Sequence, residues 1–286
     1  MSTFANRRSD AALPSRRELL DEAHGRIGDR REGALLLAQT LSLEEASMRA
    51  WPERRVAAAA AEQFRALLAR RADGEPVAYL LGEREFWGRS FAVDDRVLVP
   101  RPETEHLVEA ALERLVDDAA PRILDVGTGS GCLAVTLACE IPTARIVASD
   151  LSAGALAVAT ANARRHGVGE RVLAVRADLA RGLPLGAFDL VVSNPPYVAP
   201  DASLPRDVAG YEPHQALFAA EGGRAALRRL LDAAAFLRAG AHLLLEIGHD
   251  QGAWLRAAAA ARPHLGLVEL IRDYGGHERT AVLRRR

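Results

Sequence analysis

The sequence predicts an α/β protein: a parallel, doubly wound sheet that follows a small helical bundle and a β-hairpin linker. Three observations carry this. From Pro121 onward, short apolar runs alternate with longer helical patterns, as strands joined by crossover helices do. Residues 1–74 are rich in Ala, Leu and Arg at helical spacing. Between the two, aromatic and β-branched residues gather around turn signals.

Taken in order, the first dozen residues are polar and expected to fray. Ser15-Arg16-Arg17-Glu18 and Ser42-Leu43-Glu44-Glu45 each read as a capping box. An Ala-rich helix follows over 56–68, and Asp73-Gly74-Glu75-Pro76 supplies the turn that ends it. From Val77 to Val99 the turn signals Trp87-Gly88 and Asp94-Asp95 lie among Phe86, Phe91, Val93 and Val97-Leu98-Val99, a β-hairpin linker whose second strand is stopped by Pro100 and Pro102. Glu103 or Thr104 starts a helix through Leu115. Strands are expected over 122–126, 145–150, 172–176, 188–193, 241–247, 266–272 and 280–283, and helices over 131–140, 153–166, 224–237 and 251–261. Two strands after the last helix suggest a closing antiparallel pair. The expected domains are thus 1–74, a linker 75–102 and 103–286.

Composition narrows the function classes. With 286 residues, two domains are the natural prior, and 49% hydrophobic residues suffice for an ordinary core. A net charge of −1 argues against coating nucleic acid through bulk electrostatics. Cys132 and Cys139 lie in one apolar run and read as core residues, so no disulfide framework is implied and a reducing cytoplasm fits. No apolar leader or membrane-spanning stretch is evident. Arg284-Arg285-Arg286 reads as a solvated tail. His106, His166, His249 and His277 lack metal-ligand spacing, and no metal is expected.

Two segments carry chemistry. The first is Ile123-Leu124-Asp125-Val126-Gly127-Thr128-Gly129-Ser130-Gly131, an apolar strand, a glycine-rich turn and a helix start. Ligands of such sheets bind beyond the carboxyl ends of the strands, and glycines let the backbone come close. A dinucleotide site needs G-x-G-x-x-G, whereas this loop is G-x-G-x-G followed by Cys132. It resembles the glycine loop of class I methyltransferases, which implies a Rossmann-like class I sheet. There the loop wraps the methionine end and ribose of S-adenosyl-L-methionine, which leaves as S-adenosyl-L-homocysteine. The next strand ends in Asp150, about 20 residues on, where a carboxylate suits a ribose diol; the alternative is a helix cap, for which Ser152 is better placed. By the same resemblance Asp178 and Leu179 flank the adenine, Leu179 standing where relatives often carry an aromatic ring.

The second segment is Ser193-Asn194-Pro195-Pro196-Tyr197, at the end of another strand of the same sheet. An amide or aniline-like nitrogen is a poor nucleophile because its lone pair is delocalised. The Asn194 side-chain oxygen and the Pro195 carbonyl can each accept one of its N–H groups, orienting it and favouring the positive charge that develops there. The two prolines stiffen the turn, and Tyr197 can pack on a planar acceptor.

Such a motif beside a class I glycine loop is similar to enzymes that methylate adenine nitrogens and to those that methylate protein glutamine. Pro76-Val77-Ala78-Tyr79-Leu80-Leu81-Gly82-Glu83-Arg84-Glu85-Phe86, together with Val97-Leu98-Val99-Pro100-Arg101-Pro102-Glu103-Thr104-Glu105, resembles the PrmC/HemK family of release factor glutamine methyltransferases. Tyr211-Glu212-Pro213, Ala216-Leu217, Leu245-Glu246-Ile247-Gly248 and Asp273-Tyr274-Gly275-Gly276 with Arg279 match as well, so the resemblance covers nearly the whole chain. It implies that Gly127, Thr128, Gly129, Ser130, Gly131, Asp150, Asp178, Leu179 and Asn194 meet the cofactor. It implies that Asn194, Pro195, Pro196 and Tyr197 hold the glutamine of the Gly-Gly-Gln loop of class I release factors, and that the helical domain docks on that factor. The expected protein is a cytoplasmic monomer without stable nucleic-acid or membrane partners. Arg101 and Glu103 either order the linker or touch substrate. Glu246 is either a buried hydrogen-bonding acid or part of the pocket wall. A ribosomal-protein glutamine methyltransferase and an adenine-N6 methyltransferase are the alternatives; the latter would flip a base and carry a basic stripe and a target-recognition insertion. A non-catalytic cofactor-binding scaffold is the alternative from another class.

Overall fold

The computed structural model describes residues 13–286 apart from Glu45 and Asp117; the expectation for the first dozen residues lies outside them. The chain divides into two compact units, one ending at Leu81 and one starting at Gly82.

The first unit is helical: Arg16–Ile27, Arg30–Leu41, Ala46–Ala50, Ala58–Ala72 and Val77–Leu81. Ser15 forms the expected capping box, accepting from Glu18 N while the Glu18 carboxylate accepts from Ser15 N. Ser42 does not cap a helix start. It ends the second helix at φ 52°, and Glu45, its supposed box partner, lies outside the described residues. The core is one apolar cluster, with Leu19, Leu36, Leu37, Met48, Phe64 and Leu68 fully buried. The first two helices approach closely at Gly33, where a Cβ would come within 2.6 Å of the Ala23 methyl.

The second unit opens with a hairpin of β1 (Glu83–Phe86) and β2 (Arg89–Ala92), Glu83 opposite Ala92. Its turn is at Trp87-Gly88, with φ of 54° and 66°, the sign that a two-residue hairpin turn requires at both positions. The second strand therefore ends before Asp94-Asp95, and Val97-Leu98-Val99 lies outside any strand. Ahead of the hairpin, Val77–Leu81 is helical rather than extended.

The sheet comprises β3 (Arg122–Val126), β4 (Arg145–Asp150), β5 (Val172–Arg176), β6 (Leu190–Ser193), β7 (His242–Glu246), β8 (Leu265–Arg272) and β9 (Glu278–Arg285), in the order β5-β4-β3-β6-β7-β9-β8. The first five run parallel, and β9 is antiparallel to both β7 and β8, as the expected closing pair requires. Alternation along each strand serves two cores. Ile123, Leu190, Val192, Leu244 and Val282 face helices Glu105–Arg114 and Cys132–Glu140. Leu124, Val126, Val191, Leu243, Leu245, Ala281 and Leu283 face helices Ala225–Ala233 and Gly252–Ala260.

Asn162, fully buried in helix Ala153–Arg165, fastens the hairpin to this frame. Its Oδ1 accepts from Ala92 N at 2.9 Å, and its Nδ2 donates to Ala92 O at 3.0 Å and Ser130 O at 2.8 Å. An Asn162→Ala protein leaves these backbone groups without partners away from water. Its unfolding free energy in denaturant titration should fall by about 2–4 kcal/mol.

Candidate active site

The parallel pairing of β3 with β6 sets Val126 opposite Ser193. Each strand is followed at once by a chemistry-bearing loop, so the glycine loop and the Asn194–Pro196 turn emerge side by side. Ser193 Oγ donates to Val126 O at 2.7 Å and ties the two strand ends together. Both loops line one cavity of about 300 Å³, whose walls include Gly127, Thr128, Gly129, Asp150, Leu179 and Asn194.

The glycine loop is held from its own backbone outward. Gly127 N and Thr128 N both donate to Ser149 O, at 2.8 and 2.9 Å. Gly127, Gly129 and Gly131 take φ of 72°, 55° and 81°, values that favour glycine. Gly131 is doubly fixed, because a Cβ there would lie 3.0 Å from Ala159 Cα and Cβ. Beneath the loop Asp125 is fully buried. Its Oδ2 accepts from Thr128 Oγ1 at 2.6 Å and Ala134 N at 3.2 Å, while its Oδ1 has no partner. Burial pushes its carboxyl up to about 7.

The donor set fits S-adenosylmethionine better than a phosphate. Gly129 N donates to Asp150 Oδ2 at 3.0 Å, and Ser152 N to Asp150 Oδ1 at 2.8 Å. A loop amide already committed to a carboxylate does not await an anion. The arginines of the cavity are likewise committed: Arg96 to Asp94, Arg101 to Glu212 and Arg229 to Asp178. A carboxylate has about four lone-pair sites, so Asp150 retains acceptors for a diol. Ser152 caps the following helix through Ala155 N at 3.1 Å, which leaves Asp150 to the loop and the cavity. Asp178 and Leu179 are in the wall as well; Leu179 has φ 51°.

In the second loop, Asn194 and Pro196 are in the cavity lining, whereas Pro195 and Tyr197 are not. Pro195 is buried. Tyr197 packs on the core shared with helix Gly252–Ala260 and donates its hydroxyl to Glu246 Oε1 at 2.9 Å. Glu246, 1% exposed, also accepts from Thr104 Oγ1 at 2.7 Å. Thr104 in turn accepts from Asn194 Nδ2 at 3.1 Å. Of the two readings open for Glu246, the geometry selects the buried hydrogen-bonding acid. Arg101 is in the cavity lining and also binds Glu212 Oε1 at 2.5 Å, while Val99 N donates to Glu212 Oε2. It therefore orders residues 99–101 against the Tyr211-Glu212-Pro213 segment.

Sequence reasoning missed the far wall, where Pro213, Gln215, Phe218, Ala226 and Arg229 line the cavity. It also missed how that segment clamps the Asn194 loop. Gly223 takes φ 84°, and a Cβ there would lie 2.1 Å from Tyr197 O. Gln251 Nε2 donates to both Tyr197 O and Gly223 O. A conformationally demanding Gly-Gly pair at 222–223 was the signal available. Thr104 was legible as a helix start and as part of the segment that carries the family resemblance, not as a partner of Asn194.

Comparison with known proteins gives a consistent set of relatives. Residues 104–208 match the methyltransferase small domain, and residues 17–82 match the PrmC N-terminal domain. A release factor glutamine methyltransferase from Nitratidesulfovibrio vulgaris is 44% identical over 258 residues, which cover 88% of this chain and 86% of that protein. One from Xylella fastidiosa is 41% identical over 272 residues, covering 94% and 98%. Among solved structures, the ribosomal protein L11 methylase of Lactobacillus delbrueckii subsp. bulgaricus superposes with a TM-score of 0.51 at 20% identity, over 68% of this chain and 84% of that one. The hMettl16 catalytic domain in complex with MAT2A 3'UTR hairpin 6 gives 0.55 at 19% identity, over 77% and 81%. At these identities the structural likeness concerns the fold.

The state of Asp125 has a measurable consequence. Its pKa is about 7 when folded against an ordinary 3.8, so the fold binds the extra proton between those values. The contribution is complete below the lower value and is lost as pH rises through the upper one. Denaturant midpoints of the wild type should fall over that window by more than those of Asp125→Asn, in which nothing titrates at this position; parallel curves would contradict the assignment.

Proposed function

This chain belongs to the release factor glutamine methyltransferase family, and on that premise we propose that it methylates the glutamine side-chain amide of the Gly-Gly-Gln loop of class I peptide chain release factors. The observation that carries this reading is one cavity walled by both the glycine loop and Asn194. When bound, S-adenosylmethionine supplies an electrophilic methyl group on a sulfonium and departs as S-adenosylhomocysteine. Gly127 to Gly131 and the Asp150 carboxylate hold its methionine end and ribose. Asp178 and Leu179 flank the adenine.

The residues of the chain act on the acceptor. An amide nitrogen attacks only when its lone pair is aligned with the breaking bond, and its N–H groups become more acidic as it does so. Asn194 Oδ1 and the Pro195 carbonyl accept these N–H groups, which orients the nitrogen and stabilises the charge that develops on it. Pro195 and Pro196 keep the acceptors in place, and Tyr197 fixes the loop through Glu246. The helical unit docks on the release factor. The protein acts as a cytoplasmic monomer; among the described residues no helix is long and apolar enough to cross a membrane.

The test is methyl transfer from labelled S-adenosylmethionine to a purified class I release factor, beside the same factor with its Gly-Gly-Gln glutamine changed. Label on the first and none on the second is expected. Label on neither, with cofactor binding intact, redirects the assay to ribosomal-protein and nucleic-acid acceptors. In the same assay Asn194→Ala should lose roughly 10²–10³-fold in turnover, and wild-type turnover would remove Asn194 from the acceptor site. Asp150→Ala should weaken cofactor binding in calorimetry by about 1.5–3 kcal/mol.

A further inference from the structure

Asn194 serves the acceptor only if its amide is turned one way. The carbonyl oxygen must meet the substrate N–H groups, because the NH₂ end would oppose them with donors of its own. The asparagine alone has no reason to choose.

Four side chains from three segments make the choice. Asn194 Nδ2 donates to Thr104 Oγ1 at 3.1 Å, Thr104 Oγ1 donates to Glu246 Oε2 at 2.7 Å, and the Tyr197 hydroxyl donates to Glu246 Oε1 at 2.9 Å. A hydroxyl has one proton. With that of Thr104 given to Glu246, its oxygen can only accept, and only the nitrogen end of the Asn194 amide can donate. We propose that Glu246 and Thr104 are positioning residues for methyl transfer: Glu246, as a carboxylate, fixes the direction of each hydrogen bond in the chain and so presents Asn194 Oδ1 to the acceptor nitrogen. This deepens the preceding reading and rests on it.

The surroundings support that direction. Two hydroxyls are aimed at two different oxygens of Glu246, the pattern of a group that accepts twice and donates nothing. The charged and titratable groups acting on Glu246 come from several elements. Arg279 on β9 favours the carboxylate and Glu103 opposes it; Tyr197 donates to it, and Cys132 of the facing helix senses its charge. Burial pushes the Glu246 carboxyl up from its ordinary value of 4.5. Protonation reverses the chain. A Glu246 O–H donating to Thr104 frees the Thr104 proton to point at Asn194, whose oxygen then turns inward and whose NH₂ faces the acceptor. Activity is therefore lost on the acid side, as pH falls through the raised value.

The test compares kcat and KM across pH for the wild type, Thr104→Val, Thr104→Ser and Glu246→Gln on an intact release factor, with cofactor affinity measured alongside. Thr104→Val and Glu246→Gln should lose roughly 10–100-fold in kcat while cofactor affinity is unchanged. Thr104→Ser, which keeps the hydroxyl, should recover most of the loss. The acid-side fall of kcat in the wild type should be absent from Glu246→Gln. Wild-type kcat in Thr104→Val, or no recovery in Thr104→Ser, overturns the proposal. A second readout needs no substrate: the side-chain amide resonance of Asn194, assigned by its disappearance in Asn194→Asp. It should shift in Thr104→Val, and it should titrate in the wild type but not in Glu246→Gln. An amide signal indifferent to all three overturns the positioning role even if the wild type methylates. A wild type that labels no release factor while the amide titrates defeats the substrate assignment and upholds the positioning role.

Discussion

The parallel pairing of Val126 with Ser193 is the contact on which the site depends. Strand ends in a parallel sheet lie about 4.8 Å apart, so two loops leaving adjacent strands on the same side have no choice but to meet. One offers backbone and an acid at its neighbour's end. The other offers a proline turn whose Asn194 and Pro196 line the same cavity. Neither loop makes a methyl-transfer site alone. Their juxtaposition is decided by the sheet order, in which β3 is flanked by β4 and β6, so that Asp150, the glycine loop and Asn194 form one wall.

Around this contact the fold places three buried acids, Asp125, Glu212 and Glu246. Each is costly to desolvate, and burial raises all three carboxyls. Each also anchors a loop of the cavity. Asp125 holds Thr128, Glu212 holds residues 99–101 through Val99 N and Arg101, and Glu246 gathers Thr104 and Tyr197. Hydrogen bonds to a charged acceptor are directional and strong, so the acids exchange stability for rigid placement of loops that must otherwise rely on backbone turns. Rigid acceptors need no reorganisation when charge develops on the substrate.

The same logic accounts for the glycines that touch the site. Gly131 lets helix Ala153–Arg165 close on the glycine loop, and Gly223 lets the 213–226 segment close on Tyr197. In both places one backbone packs against another with no room for a methyl group. The hairpin is joined by a different device, the amide of Asn162, which reads both polar groups of Ala92 and the carbonyl of Ser130.

The sequence by itself determined what depends on local order. Strands 122–126, 145–150 and 172–176 coincide with β3, β4 and β5, because an apolar run bounded by turns has one way to lie in a parallel sheet. The glycine loop and the Asn194 segment were legible for the same reason: each is a contiguous motif at a strand end. What only the tertiary structure decided is every contact between residues far apart in the chain. Of the two turn signals Trp87-Gly88 and Asp94-Asp95, the pairing of Glu83 with Ala92 selects the first and sets Trp87 at φ 54°. Thr104, Asn194 and Glu246 are separated by 90 and 142 residues along their hydrogen bonds, and no periodicity links such positions. Packing of the helix that begins at Glu105 against the sheet brings them within one hydrogen-bonded chain. A side-chain amide has two nearly isosteric ends, and only neighbours supplied by the fold can decide which one faces the substrate.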